Sequence, residues 1–251
     1  MRTLLFFTLL IMLFLQGCSS PYRNVKPHES LWGPYLSYQA PDTTWQVVSE
    51  YENGNYYRYG GKNGDINQAP YIYKNVPGST YHIKVYTQPF KVSPHEILFD
   101  KNGDYEAGYE AIKNDPEHRA IHKEQNINYD EYETQYVLGM KCWGTVFARG
   151  AKGMMAGQKY YSITCGYYDK DEGKRRLRIE YSYIYAGENL RLQQDSGLKT
   201  NELLTHEQVE RELKDAVKSI VGSLEIKNFD YEKMRREGLL HPNKPFVSTK
   251  W

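Results

Sequence analysis

The sequence predicts an α+β fold: an antiparallel β-sheet meander with flanking helices, in a single domain closed by one disulfide. Three observations predict it. Residues 135–186 carry three runs in which apolar and polar side chains alternate, the mark of half-buried strands. Residues 205–224 carry apolar side chains at helical spacing behind a capping signal. Cys142 and Cys165 fall on matching faces of the first two strand runs, in reach of one another across a hairpin.

The chain begins with Arg2 and an apolar run, Leu4 to Leu15, broken only by Thr8. This run is too short to cross a bilayer, which takes about 20 helical residues. It suits the apolar region of a secretory signal. It ends in Leu15-Gln16-Gly17-Cys18, which resembles the bacterial lipobox. The resemblance implies a signal peptide over 1–17, cleavage before Cys18, and diacylglycerol and N-acyl (palmitate) chains on Cys18. Several acyl chains anchor stably where a single one is marginal. Ser19 follows the cysteine where Asp would favour the inner membrane. The expected location is therefore the outer membrane, on its periplasmic face, with the inner membrane as the alternative.

Residues 18–44 are expected to be the lipidated cysteine and a tether, since Ser19, Ser20, Pro21, Pro27, Gly33 and Pro34 interrupt regular structure. The globular α+β domain is expected over 45–226, and a charged tail over 227–251. Trp45 to Tyr51 and Asn55 to Tyr59 flank Asn53-Gly54, a hairpin signal. Pro70 to Tyr73 and Tyr81 to Tyr86 flank a second turn, and the latter run alternates Tyr81, Ile83 and Val85 with His82, Lys84 and Tyr86. Ser93-Pro94-His95-Glu96 is a helix start, with further helix expected over 104–113 and from Pro116 to Lys123.

In the meander, Leu138, Met140, Cys142 and Val146 are expected on one face of the first strand. Tyr161, Ile163 and Cys165 share a face of the second, and Leu177, Ile179 and Tyr181 of the third. Placing Cys142 opposite Cys165 puts the hairpin midpoint inside the Gly-rich loop 150–157. The next turn, Asp169 to Gly173, then sets Leu177 opposite Cys165. Both cysteines are free for a disulfide once Cys18 carries lipid, and the secreted compartment is oxidising.

Thr205 and Gln208 form a capping box for a helix through Val209, Leu213, Ala216, Val217, Ile220 and Val221, with Gly222 at its exit. An edge strand is expected over 223–226 and a short helix from Asp230 to Glu237. The strands, the capped mid-chain helix, the long meander and an amphipathic helix running into Ser223-Leu224-Glu225-Ile226 resemble the Mog1/PsbP-like α/β/α sandwich, over roughly 45–226. That resemblance implies a binding module, because the family has no common enzymatic activity. The size and layout are also similar to those of periplasmic immunity lipoproteins, which neutralise toxic effectors.

Composition excludes strong electrostatic steering. The 32 basic and 31 acidic residues nearly cancel, so no nucleic-acid partner is expected. The 24 tyrosines against 8 phenylalanines suit both strands and contact surfaces. Motifs for chemistry fail on inspection. Asp100, Asn102 and Asp104 open like a calcium loop, but Tyr105 and Ala111 stand where Gly and Glu are required. His118 and His122 are one helical turn apart without the intervening Glu of a zinc motif. Gly150 to Gly153 lacks the Lys-Ser/Thr of a phosphate loop, and no serine lies in a GxSxG. No catalytic residue, metal or cofactor is expected beyond the lipid on Cys18.

Two stretches are candidate partner surfaces. Met154 and Met155 stand in the Gly-rich loop, and Tyr56, Tyr57 and Tyr59 with Arg58 make an aromatic cluster. The methionine loop folding back on the domain is the favoured alternative for the first, and aromatics scattered on the surface explain the second equally well. The expected function is a membrane-anchored, non-enzymatic protein-binding module, with an immunity protein as one form. The alternative is an envelope-maintenance or small-ligand-binding lipoprotein with a deep apolar pocket beneath the Thr205 to Gly222 helix. A hydrolase is the lesser alternative.

Overall fold

The computed structural model describes residues 22–33, 35–48, 67–68, 71–89, 127–149, 156–185, 202–241 and 246–248, with isolated positions 116, 197 and 199. The expected hairpin at Asn53-Gly54, the helices after Ser93, and the candidates in the calcium-like loop and at His118 and His122 lie outside the described residues.

Strands β1 (Tyr22–Asn24), β4 (Gln46–Val48), β5 (Asn67–Gln68), β6 (Ile72–Val76), β7 (Ser79–Pro89), β8 (Ile127–Val137), β9 (Met140–Arg149), β10 (Gln158–Asp169), β11 (Gly173–Tyr185) and β13 (Phe246–Ser248) form one sheet. Its order is β1-β4-β6-β7-β11-β10-β9-β8-β13, with β5 paired to β7. A second, three-stranded sheet holds β12 (Glu225–Ile226), β3 (Leu36–Gln39) and β2 (Ser30–Trp32). Every pairing among these strands is antiparallel. The fold is α+β, as expected.

The meander keeps the predicted register. Cys142 lies opposite Cys165, and Cys165 opposite Leu177. Because side chains alternate with period two, this single alignment sends Tyr161, Ile163, Leu177, Ile179 and Tyr181 to one buried face. Cys142 and Cys165 are joined, with an S–S distance of 2.00 Å. On β7, Tyr81, Ile83 and Val85 share the same face and are buried.

That face is closed by helix α1 (His206–Gly222), which buries Val209, Leu213, Ala216, Val217, Ile220 and Val221. Its N-terminus has the predicted capping box. The Gln208 amide donates to Thr205 Oγ1 at 3.2 Å, and the Thr205 amide donates to Gln208 Oε1 at 2.8 Å. The cap satisfies two of the orphan groups at the helix end and is worth about 1 kcal/mol. Burying each Leu, Ile or Val here contributes about 1.5–3 kcal/mol.

Three expectations need correction. Leu138 does not continue the β9 face; with Gly139 it forms the β8–β9 turn, both at positive φ (52° and 80°). Gly139 suits that backbone, and a Cβ there would meet the His241 carbonyl oxygen at 3.2 Å. The tether is shorter than expected, because β1, β2 and β3 are strands and Val25, Leu31, Leu36 and Tyr38 are core residues. The buried side chains of Val25, Leu31, Leu36 and Tyr38, on either side of these prolines and between them, order strands of three or four residues. At the other end the domain passes residue 226. Phe229 and Met234 are buried, and helix α2 (Tyr231–Arg236) forms between Asp230 and Glu237.

Candidate functional site

Two features of the described surface carry recognition chemistry. The first is the end of the fold where the β10–β11 turn meets the β12–α2 loop. Asp169 is buried and builds the turn, its Oδ1 accepting from the amides of Asp171 (2.9 Å) and Glu172 (3.0 Å). The neighbouring loop is laced to it. The Lys170 amide donates to the Asn228 carbonyl at 2.8 Å, the Asp230 amide to the Tyr168 carbonyl at 2.9 Å, and Asn228 Nδ2 to Asp171 Oδ2 at 2.7 Å.

Aromatic rings line this end and cations sit on them. Lys227 Nζ lies 5.6 Å from the Trp32 ring centroid and donates to the Gly33 carbonyl at 3.0 Å. Lys233 Nζ lies 4.0 Å over Tyr168, and the Arg175 guanidinium 4.0 Å over Tyr35. Phe229 stacks on Tyr167 at 5.8 Å and touches Tyr231 at 4.3 Å. Trp32 and Tyr231 nevertheless remain 58% and 55% exposed. A surface of exposed rings held in place by cations and backbone bonds loses little freedom on binding.

Beneath the rim, Arg175 is wholly buried. It pairs with Glu172 and donates to Thr87 Oγ1 at 3.2 Å. The Tyr35 hydroxyl donates to Glu172 as well, and that bond, with burial, raises the phenol above its ordinary range. Tyr167 is pushed up to about 12 by burial, against the pull of nearby Arg175. Its hydroxyl lies near Thr87 and Arg175 without a hydrogen bond of normal geometry, and Asp169 Oδ2 and Arg175 Nε are likewise buried without a partner.

The second feature is a cleft of about 230 Å³ on the outer face of the main sheet, the face opposite α1. Tyr71, His82, Lys84, Tyr160, Glu180 and Ser182 line it. Glu180 Oε1 accepts from the Tyr86 hydroxyl at 2.6 Å and from Arg178 Nε at 3.1 Å. Burial carries the Tyr86 and Tyr160 phenols well above their ordinary range. His82 bonds to the Tyr71 hydroxyl, and burial with Lys84 nearby lowers its pKa to about 4. The imidazole is therefore neutral at physiological pH.

Of the residues singled out from the sequence, the structure brings Cys142 and Cys165 together. Cys18, Met154, Met155, Tyr56, Tyr57, Tyr59 and Arg58 lie outside the described residues. Sequence reasoning missed Trp32, Tyr35, Lys227 and Tyr231. Trp32 and Tyr35 flank Gly33-Pro34 in a stretch read as tether, and Tyr231 lies in one read as tail. The alternation of Leu31 with Trp32 and of Leu36 with Ser37 was the available signal. The apolar pocket expected beneath α1 is filled instead: Val209, Leu213, Val217 and Ile220 are completely buried against the sheet. Among the described residues no group of three or more His, Cys, Asp or Glu gathers as a metal site, and no helix is long and apolar enough to cross a membrane.

No family model and no curated protein match the chain. Among solved structures, it is similar to the crystal structure of LpqN, involved in cell envelope biogenesis of Mycobacterium tuberculosis, with 12% identity and a TM-score of 0.39 over 82% of this chain and 90% of that one.

Proposed function

We propose that this chain is a lipid-anchored, non-enzymatic binding protein of the bacterial envelope, held at the outer membrane through Cys18 and facing the periplasm, with another protein as its partner. The observation that carries the reading is the aromatic end, where Trp32 and Tyr231 are more than half exposed yet locked to Lys227 and Phe229. Large rigid rings among cations have the composition of interface hot spots. The disulfide and the packed helix stiffen the platform behind them. The test is crosslinked capture from the native envelope by the mature lipidated chain, with mass spectrometry of the partner. One stoichiometric protein, lost when Trp32 and Tyr231 are replaced, supports the reading. A secreted toxin in that position assigns an immunity role, and capture that ignores both substitutions overturns the choice of surface.

A second reading has its own observation. The outer-face cleft, with the neutral His82, Lys84 and Glu180 fixed among phenols, suits a small polar ligand. Under that reading the chain is an envelope-maintenance or ligand-carrying lipoprotein, and a sugar or lipid co-purifies in place of a protein. Glu180 already accepts from Tyr86 and Arg178, an arrangement better suited to holding a ligand than to moving a proton.

A further inference from the structure

The start of the folded chain limits how the proposed anchor can be used. Tyr22 already belongs to β1, paired with Val48 at the edge of the main sheet. Only Ser19, Ser20 and Pro21 separate it from Cys18. Four residue steps, fully extended, reach no more than about 14 Å. A folded chain of this length has a radius of gyration of about 17 Å. A domain on so short a leash cannot stand off from the bilayer, so the region around β1 must lie against it.

The side chains there suit that position. Tyr22 points to the outer face, 39% exposed, with its ring 4.6 Å from that of Tyr73. Asn24 is exposed beside it and accepts from Gln46 Nε2 at 3.0 Å. Further along the same face, Lys84 Nζ lies 5.3 Å over the Tyr71 ring, and among the described residues it has no ion pair. Tyrosines with an apolar body and polar tip settle at the headgroup level of membranes, and a lysine there meets phosphate.

We infer that the outer face of the main sheet at its β1 edge, built from Tyr22, Asn24, Tyr73, Tyr71 and Lys84, is a membrane-docking surface that rests on the phospholipid headgroups of the bilayer holding the Cys18 acyl chains. The inference rests on the proposed lipid anchor and adds an orientation to it. The β1 edge of that face, where Tyr22 and Asn24 are exposed, is turned to the lipid, and α1, on the opposite layer, is turned to the periplasm.

The test uses the mature lipidated chain with a nitroxide at Asn24→Cys or, on exposed α1, at Lys218→Cys, in vesicles of phosphatidylethanolamine and phosphatidylglycerol. The native disulfide leaves the introduced thiol as the labelling site. Flotation and the mass of the acylated chain establish the anchor separately. The expected result is a several-fold lower collision rate of the Asn24 label with a water-soluble nickel chelate than of the Lys218 label. Lys84→Glu should restore much of that rate while the protein still floats. Equal rates at both positions in floating protein overturn the docking surface and leave the anchor standing. Equal protection of Asn24 in the Cys18→Ala chain without vesicles assigns the surface to a protein contact and also overturns it. A chain that neither carries acyl groups nor floats removes the anchor and the inference together.

Discussion

Tyr161 and Glu210 tie the main sheet to the long helix: the phenol donates to the carboxylate, and the same ring lies parallel to Tyr181 with centroids 4.7 Å apart. Two further ties flank it. Tyr81 donates to Glu212 Oε2 at 3.0 Å, and Tyr183 shares a 3.0 Å hydrogen bond with His206 Nδ1. Tyrosine therefore does two jobs on this face. Its ring fills the core, and its hydroxyl anchors the rim of the helix.

Glu210 makes this tie pH-dependent. Burial alone would raise its carboxyl, but the Tyr161 hydrogen bond and the charges of Lys159 and Lys214 outweigh burial and hold it below the ordinary value. A folded pKa below the unfolded one gives stability that is present above the unfolded value and lost as pH falls through the folded one. Tyr161→Phe should cost about 1–2 kcal/mol at neutral pH, a modest figure because Glu210 is partly solvated. It should also flatten the acid limb below the ordinary carboxylate pKa. Urea unfolding at pH 7 and pH 3 checks this, and an unchanged difference between the two would count against the tie.

His82 acts over a higher window. Its pKa of about 4 in the fold lies below the ordinary 6.5, so between those values the unfolded chain binds more protons. Stability should therefore fall as pH drops from about 6.5 through about 4. His82→Gln should remove that portion of the dependence, leaving a smaller shift in thermal midpoint between pH 7 and pH 4. A wild-type imidazole titrating near 6.5 by NMR would contradict it.

The disulfide closes a loop with a sequence separation of 23 residues. The chain-entropy account assigns such a loop about 3 kcal/mol. Replacing both cysteines by alanine should lower the unfolding free energy by that order, while the far-ultraviolet spectrum stays that of an antiparallel sheet. Collapse of the spectrum would mean that strand pairing itself depends on the bridge.

At the aromatic end, Trp32→Ala and Tyr231→Ala remove exposed rings, so each should change stability by no more than about 0.5 kcal/mol. Partner capture should drop by at least about tenfold for one or both, the loss typical of a hot-spot ring. Parallel denaturation curves and pull-downs separate the two effects. A stability loss as large as the binding loss would show that the rings are structural.

The meander was legible because its information is local. Cys142, Cys165 and Leu177 share one face, and period-two alternation with two turns leaves little choice of register. Thr205 and Gln208 announced α1 for the same reason: a capping box needs only four residues. Leu138 misled because its apolar side chain fits the strand pattern, and only its backbone, at φ 52°, shows the turn. The candidate surface at Trp32 and Tyr231 was not legible. Prolines and charges on either side mask residues whose partners are distant in the chain.

By itself, then, the sequence determined the α+β class, the pairing of the two cysteines across a hairpin, the capped helix and the face each of them buries. These depend on periodicity and caps, which act over a few residues. Only the tertiary structure decided that Tyr22–Asn24, Ser30–Trp32 and Leu36–Gln39 join sheets, that Lys227 meets Trp32, and that Arg175 is buried under Tyr35. Strands of three or four residues have almost no pattern of their own. Their place is set by the apolar surface that distant segments leave uncovered.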